Sequence, residues 1–188
     1  MATMRRKSNP NPVRMHLAPL RQVLDERELR GILTSYGAPL MENPVAAPQR
    51  VTLESVVVAS LRASRKDALL LRVLPVVLLK NWPRLDFVRL NELATRQGLR
   101  RELRVLLDLT RSAAGPVAAK ELAKQVARLG STKKLPRKYF PEVRNQYERE
   151  LADLRNPALT RRWNVGVNVS NDSVKSFVLK HCADLTLV

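Results

Sequence analysis

Cysteine and histidine are scarce in this chain of 188 residues, which has one cysteine, Cys182, and two histidines, His16 and His181. A single cysteine excludes an internal disulfide framework and a cysteine-based zinc site. His181 and Cys182 are adjacent, so on a helix or a strand their side chains point in different directions and do not form a thiol–imidazole pair. We therefore expect Cys182 to be a small buried hydrophobic residue.

The motifs of common enzyme classes are also missing. The six glycines are far apart, which excludes a glycine-rich phosphate loop, and neither a nucleophile elbow nor a His-Glu-x-x-His motif occurs. Three carboxylates share one predicted helix, but arginines are interleaved with them, which is typical of a solvated face of ion pairs. We expect no catalytic residue, no cofactor-binding residue and no metal ligand, and therefore a protein that is not an enzyme.

Long hydrophobic runs are absent as well. The main apolar stretch, residues 68–79, is interrupted by Arg72 and contains Pro75. It is much shorter than the roughly 20 residues that a membrane-spanning helix needs. It therefore predicts a buried, kinked central helix and no membrane role. Because residues 1–16 contain no apolar run that would resemble a secretory signal, we expect a cytoplasmic protein.

Acidic residues are missing from the start of the chain, where the first is Asp25. The preceding segment is basic and contains three prolines, Pro10, Pro12 and Pro19. Prolines break the amphipathic helix that a mitochondrial transit peptide forms. We predict a disordered basic arm over residues 1–16, with a targeting peptide as the alternative.

Positive charge is abundant. Thirty-four lysines and arginines against 17 aspartates and glutamates leave a net charge of +17. A chain of this charge repels itself unless a polyanion or an acidic partner is close. Hydrophobic residues make up 45% of the chain, which is enough for a folded core.

Apolar residues recur at helical spacing over most of the chain. Thr52 and Asp86 are typical residues for the start of a helix. The sequence predicts a mainly α fold with a helical bundle over residues 17–115 and a basic helical part over 116–188. The predicted helices cover about 19–36, 52–61, 64–81, 83–98, 99–114, 117–129 and 141–155.

The end of the chain has a different pattern. Apolar residues alternate with polar or small ones, at Trp163, Val165, Val167 and Val169. This period of two predicts a short C-terminal β element. Residues 174–179 would then return as the second strand of a hairpin, which we favour, or form a helix with Val174, Phe177, Val178 and Cys182 on one face.

One segment concentrates cations. Between Leu122 and Pro141 there are six positive side chains and no carboxylate. Such a run neutralises phosphates and releases their counterions, so it favours nucleic acid as the partner, ahead of an acidic protein or a solvated face. The predicted binding residues are Lys120, Lys124 and Arg128, at i, i+4 and i+8, followed by Lys133, Lys134, Arg137 and Lys138.

A second basic group lies earlier in the chain. Arg100, Arg101, Arg104 and Arg111 are mixed with Glu102 and Asp108. This mixture predicts a surface network of ion pairs rather than a binding site.

The order of the last predicted elements is helix, connector, helix, hairpin, which is the order of a winged helix. In that fold the second helix enters the major groove, so Asn145, Gln146 and Arg149 become candidates for reading bases. Arg161 and Arg162 would extend the basic cluster. The connector of ten residues is longer than the usual tight turn and counts against this interpretation.

Residues 85–115 include the run LDFVRLNELATRQGLRRELRVLLDL. This run resembles helical segments of the antitoxins in bacterial abortive-infection (type IV toxin–antitoxin) systems, which combine helix bundles with a winged helix. The resemblance implies a bacterial regulator or antitoxin.

These observations predict a non-catalytic nucleic-acid-binding protein. DNA is favoured over RNA because aromatic residues, which stack on unpaired bases, make up only 4% of the chain. The alternative is a protein-interaction module, an antitoxin or an assembly subunit, whose basic face binds an acidic partner. Either function is compatible with a homo- or hetero-oligomer.

Overall fold

The computed structural model describes residues 25–130 and 136–183. The expected mainly helical fold is confirmed, with one small parallel sheet near the C-terminus. The predicted arm over residues 1–16 lies outside the described ranges. The helices are α1 (Glu26–Ser35), α2 (Leu53–Ala63), α3 (Ala68–Lys80), α4 (Phe87–Arg96), α5 (Arg100–Ala113), α6 (Pro116–Arg128), α7 (Gln146–Arg155), α8 (Pro157–Trp163) and α9 (Asn171–His181), and the strands are β1 (Lys138–Phe140) and β2 (Val165–Val167).

Side-chain caps define the starts of several helices. The Thr52 hydroxyl accepts a hydrogen bond from the backbone N–H of Ser55, and the Ser55 hydroxyl accepts one from the backbone N–H of Thr52. Asp67 caps α3 and Asp86 caps α4 by accepting hydrogen bonds from backbone N–H groups in the first turn. These caps satisfy N–H groups that have no partner within the helix, which explains why the predicted starts near Thr52 and Asp86 are correct.

Helix α3 is the centre of the core. Its apolar residues Leu70, Val73, Leu74, Val77 and Leu78 are fully buried, as the apolar stretch predicts. Its neighbours include α2, α5 and α9. The buried hydrophobic cluster extends from Ile32 in α1 to Val178 in α9, so the two parts predicted for the chain share one core.

The two strands form a parallel pair. Lys138 lies opposite Val165, Tyr139 opposite Gly166 and Phe140 opposite Val167. Both strands are only three residues long, and α7 and α8 lie between them in the chain. The short β element expected near the C-terminus is therefore present, but its partner strand is part of the predicted connector.

The hairpin predicted over residues 162–180 is wrong. The sequence also predicts a turn at Asn171 and Asp172, between the two strands of that hairpin. These residues instead begin α9, and the Ser170 hydroxyl caps that helix by accepting from the N–H of Ser173 at 3.2 Å. Val174 and Val178 face the core. The helix that the sequence left open as the alternative is the structure that forms, and the hairpin of a winged helix is absent from this region.

Helix α7 also differs from the expected helix over 141–155. It begins at Gln146, with Asn145 as its capping residue. Its only fully buried side chain is that of Ala152, whereas Tyr147 and Leu154 are 71% and 76% exposed. The helix therefore packs through a small residue and leaves apolar side chains in solvent.

Candidate nucleic-acid interface

The cations of α6 lie on its outer face. Leu122 and Val126 are buried against the core, whereas Lys120, Lys124 and Arg128 are exposed. This is the arrangement that the i, i+4, i+8 spacing predicts. Glu121 is also on the outer side, with its Oε2 atom 3.0 Å from the Lys124 Nζ atom. The hydrogen bond from Lys124, followed by that from Gln125, lowers the pKa of Glu121.

Helices α5 and α6 form a hairpin joined by Ala114 and Gly115. Because so short a connection makes neighbouring helices antiparallel, the start of α5 lies beside the end of α6. Leu103 of α5 and Leu129, just after α6, line one groove of about 100 Å³ between these ends. The first turn of α5 carries two further cations near these ends, the exposed Arg100 and the half-buried Arg101, whose guanidinium donates to the carbonyl oxygen of Pro136 at 2.6 Å. We call the set Arg100, Arg101, Lys120, Lys124 and Arg128 the basic surface.

Arg104 differs from the surface residue that the sequence predicts, since it is only 3% exposed. Its Cζ atom lies 5.5 Å from the centre of the Trp163 ring. Burial, together with the nearby charges of Arg100 and Arg101, lowers the pKa of Arg104 to about 10. The side chain therefore remains charged at neutral pH, although it is inside the protein. The prediction of a surface ion-pair network is wrong at this residue.

The carboxylate of Glu102, in the first turn of α5, faces inward. It accepts a hydrogen bond from Arg65 at 2.6 Å and another from Lys138. Burial alone would raise the pKa of Glu102, but the hydrogen bonds from Lys138 and Arg65 outweigh burial and lower it. The half-buried Lys138 side chain is thus held by a buried carboxylate.

The remaining residues of the predicted basic cluster do not share one environment. Arg137 forms an ion pair with Asp153 and lies over the Tyr139 ring, 5.7 Å from its centre. Lys133 and Lys134 lie outside the described residues. The structure therefore places Lys120, Lys124 and Arg128 on the outer face of α6. It pairs Lys138 with the buried carboxylate of Glu102, and it pairs Arg137 with Asp153 at the surface.

The cations next to β2 have different environments. Arg162 contacts Asp108 at 3.0 Å and lies over the Trp163 ring at 4.8 Å. Arg161 is exposed and forms no ion pair with any residue of 25–130 or 136–183. Both side chains are exposed, but only Arg162 is held in place by an ion pair and a ring contact.

The predicted base-reading residues lie at the exposed start of α7. The Asn145 side chain accepts from the N–H of Glu148 at 2.9 Å, and the Gln146 amide donates to Glu150 at 2.9 Å. Arg149 is exposed. Two of the three candidates are engaged within their own helix, and the carboxylates of Glu148 and Glu150 lie beside them.

No other type of site is visible in the part of the chain that the structure describes. It contains no group of three histidine, cysteine, aspartate or glutamate side chains placed to hold a metal ion. None of its helices has the length and apolar character that crossing a membrane requires. Cys182 is buried, which raises the pKa of its thiol.

Sequence reasoning missed Arg100 and Arg101 as members of the basic surface. The available signal was the Gly115-Pro116 turn, which folds α6 back along α5. Comparison with known protein families, curated proteins and solved structures finds nothing that matches this chain. The function is therefore inferred from geometry and charge.

Proposed function

We propose that the protein is a non-catalytic nucleic-acid-binding protein that contacts phosphates through the basic surface on α5 and α6. The proposal rests on where the carboxylates of this hairpin lie. Residues 100–128 contain seven cations and three carboxylates, Glu102, Asp108 and Glu121. Two of the three, Glu102 and Asp108, are buried in ion pairs. Folding thus leaves only Glu121 to oppose the exposed cations.

This separation of charge favours phosphate as the ligand. Exposed charges on one surface attract a polyanion and exchange condensed counterions for protein cations. Arginine presents several N–H donors to a phosphate, and lysine supplies a mobile point charge. Such contacts position a duplex without reading its sequence. Duplex DNA is the proposed ligand because the basic surface contains no aromatic side chain for stacking on unpaired bases.

The test is the salt dependence of binding to a fluorescent DNA duplex of about 20 base pairs. The logarithm of the binding constant should fall linearly with the logarithm of salt concentration, by about 0.9 per phosphate contact. The triple change Lys120→Gln, Lys124→Gln and Arg128→Gln should reduce the magnitude of that slope by as much as about 2.7. We leave Arg137 and Lys138 unchanged, because both already pair with carboxylates, those of Asp153 and Glu102.

A matched control removes the same charge elsewhere. Arg50, Arg84 and Lys180 are exposed residues outside the hairpin, and changing all three to glutamine gives the same net charge. The control should keep most of the wild-type slope and affinity. Equal losses in both variants would show that only net charge matters, and an unchanged slope in the folded hairpin variant would place binding elsewhere.

The second candidate function is binding of an acidic protein, as in an antitoxin or an assembly subunit. It is favoured by the groove beside Arg128, whose lining includes Leu90, Leu103 and Leu107. An apolar interface responds weakly to salt. If the wild-type protein shows no salt-sensitive binding to DNA, this alternative replaces the first.

A further inference from the structure

The Arg104 guanidinium is a buried cation without a counter-charge among the described residues. Its Nε atom is buried and has no hydrogen-bond partner. No residue within 25–130 or 136–183 accepts a hydrogen bond from this side chain. The two buried carboxylates of the same helix pair with other cations, Glu102 with Arg65 and Lys138 through Oε1, and Asp108 with Arg111 and Arg162. The Oε2 atom of Glu102 is buried without a partner, and it makes no hydrogen bond to Arg104.

Such an arrangement is unfavourable for the isolated protein. Removing a charge from water is costly unless hydrogen bonds and an opposite charge replace the water. Stacking on Trp163 offsets part of the cost, because the face of an aromatic ring attracts a cation. The ring satisfies none of the guanidinium N–H donors, which therefore lack an acceptor among the described residues.

The surroundings of Arg104 favour a negative ligand. Arg100 and Arg101 lie close enough to lower its pKa, so the local potential is positive. No side-chain hydrogen bond caps the start of α5, where the positive end of the helix dipole adds to that potential. Gly130 is next to the guanidinium: a Cβ atom at that residue would lie 3.8 Å from the Arg104 Nη2 atom. The guanidinium tip therefore lies against backbone without a side chain.

We propose that Arg104 binds a phosphate oxygen at the junction of the start of α5 and the end of α6. The planar guanidinium presents pairs of N–H donors that match two oxygens of a phosphate. The inference rests on the proposed function for the source of the phosphate, which is the nucleic-acid backbone. Arg104 then provides a directional contact, and the exposed cations of the basic surface provide the longer-range attraction.

The test compares Arg104→Met with Arg62→Met, which removes an exposed arginine near the end of α2. Methionine has similar length to the arginine stem and keeps an apolar contact with Trp163. The first measurement is thermal unfolding with inorganic phosphate, against chloride at equal ionic strength. Wild type and Arg62→Met should gain about 5–10 °C in Tm when phosphate is about one hundred times its Kd. Arg104→Met should gain less than about 1 °C under the same conditions.

The second measurement is the salt slope of duplex DNA binding. Arg104→Met should lower its magnitude by about one and weaken binding to unrelated sequences equally. Wild-type responses to both phosphate and DNA in a folded Arg104→Met protein would overturn the inference. If this variant does not fold, Arg104→Lys keeps the charge but loses the planar pair of donors. A wild-type phosphate affinity in that variant would overturn the inference as well.

The two measurements also separate this inference from the proposed function. If phosphate stabilises the protein through Arg104 but DNA does not bind, the result would support the site. The ligand would then be a free phosphate or a small phosphate ester. DNA binding that depends on Lys120, Lys124 and Arg128 but not on Arg104 would support the function and overturn the site.

Discussion

The indole Nε1–H of Trp163 donates a hydrogen bond to Oδ2 of Asp108, at 2.8 Å. Both residues are buried, and the bond connects the end of α8 to the middle of α5. The same carboxylate also accepts hydrogen bonds from Arg111 and Arg162. Asp108 therefore joins the C-terminal elements to the hairpin that carries the basic surface.

We predict that Asp108→Ala reduces the free energy of unfolding by about 3–5 kcal/mol, because it leaves the buried indole N–H and two arginines without their acceptor. Urea denaturation followed by circular dichroism measures this loss. Asp172→Ala, at an exposed position in the first turn of α9, should cost less than about 1 kcal/mol. Similar losses in the two variants would contradict the importance given to the Asp108 contacts.

The second prediction concerns Leu74, which is fully buried in α3 at the centre of the core. Leu74→Ala should cost about 2–5 kcal/mol, because it removes buried methyl groups from α3 and leaves a cavity. Leu154→Ala on the exposed side of α7 should change stability by no more than about 0.5 kcal/mol. The midpoints of chemical denaturation check both values. A loss below about 0.5 kcal/mol at Leu74 would show that α3 is not in the core.

The parallel strand pair depends on Gly166. A Cβ atom built at this residue would lie 2.6 Å from Cδ1 of Tyr139 and 2.8 Å from Oδ1 of Asp153. Gly166→Ala should therefore destabilise the protein by about 1–3 kcal/mol, as overpacking does. Adding Tyr139→Ala should recover part of the loss by removing the ring. No recovery in the double variant, relative to Tyr139→Ala alone, would show that the strands do not meet as described.

The Glu102 ion pairs predict how stability depends on pH. The folded pKa of Glu102 lies below its ordinary value of 4.5. Its ion pairs therefore contribute stability above about pH 4.5, and the contribution disappears as pH falls through the lower, folded pKa. Glu102→Gln should be less stable than wild type by about 1–3 kcal/mol at pH 7, and the difference should narrow toward pH 3. A difference that stays constant over this range would contradict the prediction.

Local sequence determined most of the helices. Thr52, Asp67 and Asp86 cap α2, α3 and α4 through residues two or three positions away, and a buried face needs only helical spacing of apolar residues. The exposed stripe on α6 follows from the same spacing. These features were predictable because each depends on interactions within a single helix.

Only tertiary structure decided the strand pairing and the roles of the individual cations. β2 pairs with residues of the predicted connector, and α9 forms where a second strand was expected. In the sequence, nothing separates the charges of Arg137, Lys138 and Arg162 from those of Lys120 and Arg128. In the fold, however, the first three form ion pairs with carboxylates from distant elements. Whether a cation meets an acid, an aromatic ring or solvent depends on how the helices pack. No periodicity within one segment contains that information.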